Sequence, residues 1–170
     1  QFFGAFIPKM MAALPAASRR EINLVQRVRP EDRAMVDGAY RDLGLKVETA
    51  TFFSDMPRRI ASAHLVICRS GASTIAELGV IGRPAILVPL PHAIENDQLH
   101  NAQHFASAGA GWLRNQAELD PGELAAFLTR LRSEEGELTK AAAAALAQGK
   151  PDAAARLADL TEELAGNIHP

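Results

Sequence analysis

Apolar and polar positions along this chain follow two rhythms, one of helical and one of strand period. Phe2, Phe3, Phe6, Ile7, Met10, Met11 and Leu14 recur at helical spacing, and Pro15 closes the run. Residues 22–28, INLVQRV, read as a short strand. Residues 29–44 predict a helix with Pro30 and acidic residues in its first turn and Gly44 at its end. LKVETATFF, residues 45–53, alternates as a strand does, and 54–63 predicts a short helix with Ser54 or Asp55 as N-cap. HLVIC, residues 64–68, is a continuous apolar run of the kind a parallel sheet buries on both faces. A helix over 74–81 closes at Gly82, and PAILVPL, residues 84–90, predicts another buried strand. A helix follows over 95–108, then a small strand, AGWL, at 110–113. From Pro121 onward the chain is helical and Ala-rich, divided by Gly149 and Pro151.

Strands and helices alternate through the first two thirds. That order predicts an α/β fold, a doubly wound parallel sheet with helices on both faces joined by right-handed crossovers. One domain over 1–170, with a helical tail at 121–166 inside it, is the expected organisation. The sequence shows no internal repeat and no long linker. It begins on Gln1 without an initiator Met and enters an apolar pattern at once, so upstream sequence is expected.

Composition narrows the function classes. A chain of 170 residues suits one domain with a real core, and 48% hydrophobic against 22% charged residues is ordinary for a globular protein. Eighteen basic and twenty acidic residues give a net charge of −2, which offers no electrostatic footprint for nucleic acid. The single cysteine, Cys68, excludes an internal disulfide framework, argues against a Cys-built zinc site, and suits a reducing compartment. No apolar stretch reaches the roughly 20 residues that a bilayer-spanning helix needs.

In an open parallel sheet, ligands sit beyond the carboxyl ends of the strands, near helix N-termini. Three loops meet that description, at 52–56, 69–74 and 89–98. In the second, Ser70 and Gly71 allow a tight turn, and the N–H groups of the following helix can accept an anion. Thr74-Ile75-Ala76-Glu77 also has the spacing of a capping box, in which the Glu side chain folds back onto the N-cap N–H. The competing role for Glu77 is outward, accepting two hydrogen bonds from a ribose diol. Spacing alone leaves both open. Asp97 and Gln98, near a helix start, suit either sugar hydroxyls or a solvated first turn, where acidic residues are favoured anyway.

Other chemistries find less support. His100 and His104 stand at i and i+4, as in H-E-x-x-H, but Asn101 occupies the Glu position and no third ligand is evident. RSGAS is not the G-x-S-x-G elbow, and neither G-x-G-x-x-G nor a Walker A sequence occurs. Phe2, Phe3 and Phe6 read as core, and the Ala-rich tail as packed helix. No metal or other cofactor is expected.

Taken together, FFSDM, HLVICRSGASTIAELGVIGRPAILVPLPHAIENDQLHNA and GAGWL resemble the MurG family in order, spacing and residue identity, best over 45–115. These bacterial transferases add N-acetylglucosamine to undecaprenyl-linked muramyl-pentapeptide. The resemblance implies a Rossmann-like, donor-binding C-terminal half of a two-domain GT-B glycosyltransferase. It also implies an upstream strand and Gly-Gly-Ser-Gln-Gly loop, of which Gln1 would be the remnant. Carried over, the backbone of Phe53 would meet the uracil. Ala72, Ser73 and Thr74, with Ile75 and Ala76 beside them, would line the nucleotide and diphosphate. Glu77 would hold the ribose, and Asp97 with Gln98 would read the N-acetylglucosamine, with Met56 and Asn101 as neighbours. Family members often carry two amides at 97–98, so the resemblance bears on Gln98 more than on Asp97.

The implied partners are UDP-N-acetylglucosamine as donor and lipid I as acceptor, the latter through an N-terminal domain outside this chain. That domain would also supply the catalytic base and the contact with the inner face of the bacterial cell membrane. The chain alone is therefore expected to be inactive, and no catalytic residue is named in it. Two other readings stay open: a different GT-B enzyme, such as a UDP-N-acetylglucosamine epimerase, and a non-catalytic UDP-sugar binding module.

Overall fold

The structure is a computed structural model that describes residues 2–91 and 94–166. Gln1, and His92 with Ala93 of the 89–98 loop, lie outside the described residues.

In chain order the elements are α1 Phe2–Ala13, α2 Ala16–Arg20, β1 Val25–Arg27, α3 Arg33–Asp42, β2 Glu48–Ala50 and α4 Met56–Ser62. β3 Val66–Cys68, α5 Ala72–Ile81, β4 Ala85–Leu87, α6 Asp97–Ser107 and β5 Gly111–Leu113 follow. α7 Pro121–Ser133, α8 Glu137–Ala147 and α9 Ala153–Gly166 complete the chain. The alternation expected from the hydrophobic pattern holds, and every strand pair is parallel. The strands are shorter than their apolar runs, because residues at either end leave the hydrogen-bonded ladder while staying in the core. Val28 and Val88 are both buried one residue past a strand. The five-residue helix α2 buries no residue and so leaves no mark in the hydrophobic pattern.

The chain forms two compact units. The first comprises Gln1–Arg59 and Arg114–Glu137. β1 and β2 pair in it with Gln26 opposite Thr49, while α1 packs on both α3 and α7. Its core includes Phe6, Met10, Met11, Val36, Tyr40 and Leu124, each at most 7% exposed. Removing side chains of this size from water contributes about 1.5–3 kcal/mol apiece. Two buried polar groups are satisfied inside this core. The Tyr40 hydroxyl donates to Gln26 Oε1, and Gln26 Nε2 donates to the Phe3 carbonyl at 3.1 Å. Burial without a charged partner pushes the Tyr40 phenol well above its ordinary pKa. Phe6 is core as expected, whereas Phe2 and Phe3 are only half-buried, and Phe2 stacks on Phe6 with ring centroids 5.0 Å apart.

The second unit comprises Ile60–Leu113 and Leu138–Pro170. Its sheet has the order β3-β4-β5, with Cys68 opposite Leu87 and Leu87 opposite Leu113. Central β4 is fully buried. β3 is only half-buried along its length, which corrects the expectation of a strand covered on both faces. It stands at one end of this strand order, so it has a strand neighbour on one side only among the described residues. α5 and α6 pack against each other, with Leu78, Ala102 and Phe105 wholly buried. α5 ends at Gly82, whose φ of 71° lies in the left-handed region where only glycine is free of strain.

The Ala-rich tail divides its behaviour. α8 buries Ala141 and Ala145, but residues 153–165 of α9 are all exposed, against the expectation of a packed helix. Leu157, Leu160 and Leu164 repeat on one side of α9 at 50–65% exposure. Helical spacing of leucines marks a face that can pack; it does not supply the partner.

Candidate functional site

The carboxyl end of β3 leads through 69–71 into α5, and the carboxyl end of β4 leads through 88–96 into α6. Both connections follow parallel strands of the same sheet, so they emerge on the same edge.

α5 starts two residues earlier than its apolar pattern suggests. Gly71 is its N-cap, with extended backbone and no side-chain cap bond. The first helical bond runs from Ile75 N–H to the Gly71 carbonyl at 3.0 Å, so the N–H groups of Ala72, Ser73 and Thr74 have no intrahelical acceptor. Ala72 and Ser73 are exposed and Thr74 is half-buried. The capping box is not formed: Thr74 is the third helical residue rather than the N-cap, which places Glu77 one turn too deep to reach the orphan N–H groups. Glu77 is exposed, as is Ala76, with Ile75 half-buried beside them. A Cβ placed on Gly71 would meet no atom within 4 Å.

Ser70 differs sharply from its neighbours, being wholly buried. Its hydroxyl donates to the Gln98 carbonyl at 2.7 Å, and its own carbonyl accepts from Asn101 Nδ2 at 3.0 Å. Gln98 Oε1 accepts from the Leu90 N–H at 3.0 Å. Arg69 Nη1 donates to the Val88 and Pro89 carbonyls at 3.0 and 2.9 Å, and partial burial lowers its pKa from the ordinary arginine value. These bonds fasten the 69–71 turn to both ends of the 88–98 connection. That connection enters α6 through Glu95 and Asn96, both in the left-handed region at φ 53° and 55°. Two such residues in succession are costly for side chains with a Cβ, at about 1–3 kcal/mol each. Asp97 is exposed in the first turn of α6, where its charge is favoured by the helix dipole.

Of the residues singled out from sequence, 72–77 and 97–98 with Asn101 are therefore gathered in the second unit. Phe53 belongs to the first. Its ring is 7% exposed and lies under the Arg59 guanidinium, 4.2 Å from the centroid. Arg59 also pairs with Glu48 at 2.8 Å and Asp55 at 2.7 Å. Its hydrogen bond holds the Asp55 carboxyl below the usual carboxylate range, and the two acids raise the Arg59 pKa. Met56 opens α4 and is half-buried. His100 and His104 are exposed on α6, and among the described residues no three His, Cys, Asp or Glu side chains are grouped to hold a metal. Arg69 and the Leu90 N–H were not legible as site groups, because their partners lie 8 to 20 residues away along the chain.

Parallel strands feeding an uncapped helix start, beside a second polar loop fastened to the first, define a Rossmann-like α/β unit with a candidate ligand site at the carboxyl ends of its strands. Comparison then fixes the family. The Glycosyltransferase family 28 C-terminal domain matches residues 1–157, and the chain belongs to that family. It is 47% identical over 97% of its length to the UDP-N-acetylglucosamine--N-acetylmuramyl-(pentapeptide) pyrophosphoryl-undecaprenol N-acetylglucosamine transferase of Rhizobium leguminosarum bv. trifolii. To the transferase of the same name from Brucella canis it is 48% identical, again over 97% of its length. In both cases the chain spans 44% of the relative. Among solved structures, MurG of Acinetobacter baumannii superposes with a TM-score of 0.83 at 25% identity, over 95% of this chain and 48% of that one. The glycosyltransferase VinC, in complex with DTDP, shares the fold at a TM-score of 0.66 and 19% identity, over 92% of this chain and 38% of that one.

Proposed function

We propose that this chain is the donor-binding half of an inverting transferase that moves N-acetylglucosamine from UDP-N-acetylglucosamine to lipid I. The observation that carries the reading is the start of α5: N–H groups without intrahelical acceptors at an exposed helix end, reached through a glycine that faces open space. Nothing in the fold demands glycine at 71, since its φ of −63° suits any residue and no protein atom is near. Close approach of a diphosphate does demand it.

In this reading the N–H groups of Ala72, Ser73 and Thr74 and the α5 dipole receive the diphosphate, with Ile75 and Ala76 lining the same turn. Glu77, free of the capping role, accepts hydrogen bonds from the ribose hydroxyls. Gln98 and Asp97 read the N-acetylglucosamine, and the Phe53 backbone meets the uracil. The C4 hydroxyl of the acceptor's muramyl sugar attacks the anomeric carbon as the bond to the β-phosphate oxygen breaks, its electron pair leaving on UDP. A β-linkage forms by inversion. Backbone donors at α5 stabilise the charge that develops on the leaving diphosphate. The proton of the attacking hydroxyl goes to a base on the other half of the longer enzyme, which also binds lipid I and touches the cytoplasmic face of the membrane.

Titration of the chain with UDP-N-acetylglucosamine, UDP-glucose and UDP, followed by calorimetry and amide shifts, tests the reading. Binding with shifts concentrated at 72–77 and 97–98 supports it. No binding, or shifts confined to the first unit, would refute it. Lipid I and donor added to this chain alone should give no product, and turnover would show that the catalytic base lies within these 170 residues.

A further inference from the structure

Ser70 is a wholly buried polar residue, and the reaction as described gives it no role. Its two polar groups are spent on α6: the hydroxyl on the Gln98 carbonyl, the carbonyl on Asn101 Nδ2. A buried hydroxyl kept for packing alone has no need of that partner, since alanine would fill nearly the same volume without a polar atom to satisfy.

The bonds have a chemical consequence for Gln98. A backbone N–H can be accepted only by the oxygen of an amide, so the bond from Leu90 N–H fixes which end of the Gln98 side chain points inward. The NH2 group is then the end left to meet a ligand. Gln98 is presented as a donor, suited to a hydroxyl or acetyl oxygen.

We propose that Ser70, with Asn101, is a positioning residue that couples the two halves of donor recognition, holding the sugar-reading turn of α6 in register with the diphosphate-binding start of α5. The proposal rests on the donor-binding function above and deepens it. The turn that ends in the α5 N-terminus and the turn that carries Gln98 share hydrogen bonds, so they are displaced together or not at all. Residues 88–90 are held against both turns, as Arg69 donates to the Val88 and Pro89 carbonyls and the Leu90 N–H donates to Gln98 Oε1. The left-handed residues Glu95 and Asn96 that lead into α6 are strained, and the bonds made by Gln98 and Asn101 oppose their relaxation.

The test uses the 170-residue chain and the variants Ser70→Ala, Asn101→Ala and Gln98→Glu. Dissociation constants for UDP and UDP-N-acetylglucosamine are measured by calorimetry, and exchange of the Leu90 amide by NMR. In Ser70→Ala and Asn101→Ala, UDP affinity stays within about twofold while UDP-N-acetylglucosamine weakens about tenfold, the equivalent of one buried hydrogen bond. Leu90 amide exchange accelerates in both. Asn101 is only half-buried, so its variant carries the test if Ser70→Ala fails to fold. Gln98→Glu keeps an acceptor for Leu90 and loses the donor, so Leu90 stays protected while the sugar nucleotide alone weakens. Equal weakening of both ligands, no weakening of either, or an unchanged Leu90 amide in Ser70→Ala and Asn101→Ala overturns the coupling and leaves the donor site standing. If the unmodified chain binds neither ligand, the proposed function fails and the coupling fails with it.

Discussion

Replacing Glu77 with alanine separates folding from binding at the residue whose two roles the sequence left open. The folding effect follows from the structure. Glu77 is exposed on α5, past the first turn, and it makes no hydrogen bond or ion pair with another described residue. Alanine has slightly better helix propensity, so the stability change should stay within about 0.5 kcal/mol, with either sign. The binding effect is larger. A carboxylate accepting two hydrogen bonds from neighbouring hydroxyls contributes about 1.5–3 kcal/mol per bond when sheltered, and less at an open surface. Taking roughly 1.5–3 kcal/mol for the pair, UDP affinity should fall about 10- to 150-fold. Calorimetry with UDP and with 2′,3′-dideoxy-UDP closes the cycle: the diol-less nucleotide should bind the unmodified chain and Glu77→Ala alike. Chemical denaturation of both proteins supplies the folding half. Unchanged UDP affinity, or an equal loss with the dideoxy nucleotide, would refute the ribose role. A stability loss near 1 kcal/mol without an affinity change would reinstate capping, against the observed helix start.

Four further substitutions and conditions probe the frame around the site. Gly71→Ala should cost folding less than about 1 kcal/mol, as a change of N-cap residue does, yet weaken UDP by more than that; equal affinities in calorimetry would remove the close-approach argument. Gly111→Ala would place a Cβ 2.2 Å from the Ala85 carbonyl oxygen in the neighbouring strand. Backbone must move to relieve it, so a loss of about 3 kcal/mol is expected in urea denaturation, the upper end for overpacking, and a loss below 0.5 would contradict the β4–β5 register. Asp120 caps α7 by accepting from the Gly122 and Glu123 N–H groups at 2.8 and 2.9 Å. Asp120→Ala should lower stability by about 1 kcal/mol in urea denaturation, with Asp120→Asn restoring most of it. Burial pushes the Cys68 thiol from its ordinary 9.0 up to about 12. The folded chain then holds the proton that the unfolded chain gives up. This contribution is intact below about pH 9 and is lost as pH rises from there towards about 12, and alkylation of the native chain at pH 8 should be slow against the unfolded chain.

The class of fold was legible because it depends on local periodicity. Apolar runs at 64–68 and 84–90 marked β3 and β4, and the helical spacing in 2–14 marked α1, since each pattern repeats within one turn or pleat. Element edges were less legible, because hydrogen bonds set them and burial does not stop where a ladder stops. α5 shows the point: Thr74 and Glu77 match a capping box, but the helix begins at Gly71, where no side chain signals a cap. The Ala-rich tail likewise marked a helix at α9, but the packed helix expected there is exposed, with Leu157, Leu160 and Leu164 uncovered. Resemblance named the candidate donor residues by matching motifs residue for residue. The bonds that hold them reach from Ser70 to Gln98 and from Arg69 to Pro89, and no periodic rule spans such separations.

Ser70 and Gly71 give the turn between β3 and α5 features that a plain chain connection does not need. A turn that had only to reverse the chain would need neither residue as it stands, since Gly71 takes a φ of −63° open to any side chain. Instead the two adjacent residues divide opposite tasks. Ser70 is wholly buried and gives its hydroxyl and its carbonyl to α6. Apart from its chain neighbours, Gly71 has no protein atom within 4 Å of where its Cβ would be. One residue fastens the turn to α6 and the next adds no side chain, which leaves the first N–H groups of α5 anchored at their base and without a side-chain cap. That combination matters for binding an anion, because donors held in place need no reordering when the charge arrives, and open donors need no displacement of protein. Helix capping would have achieved the reverse, occupying those N–H groups with the chain's own side chain.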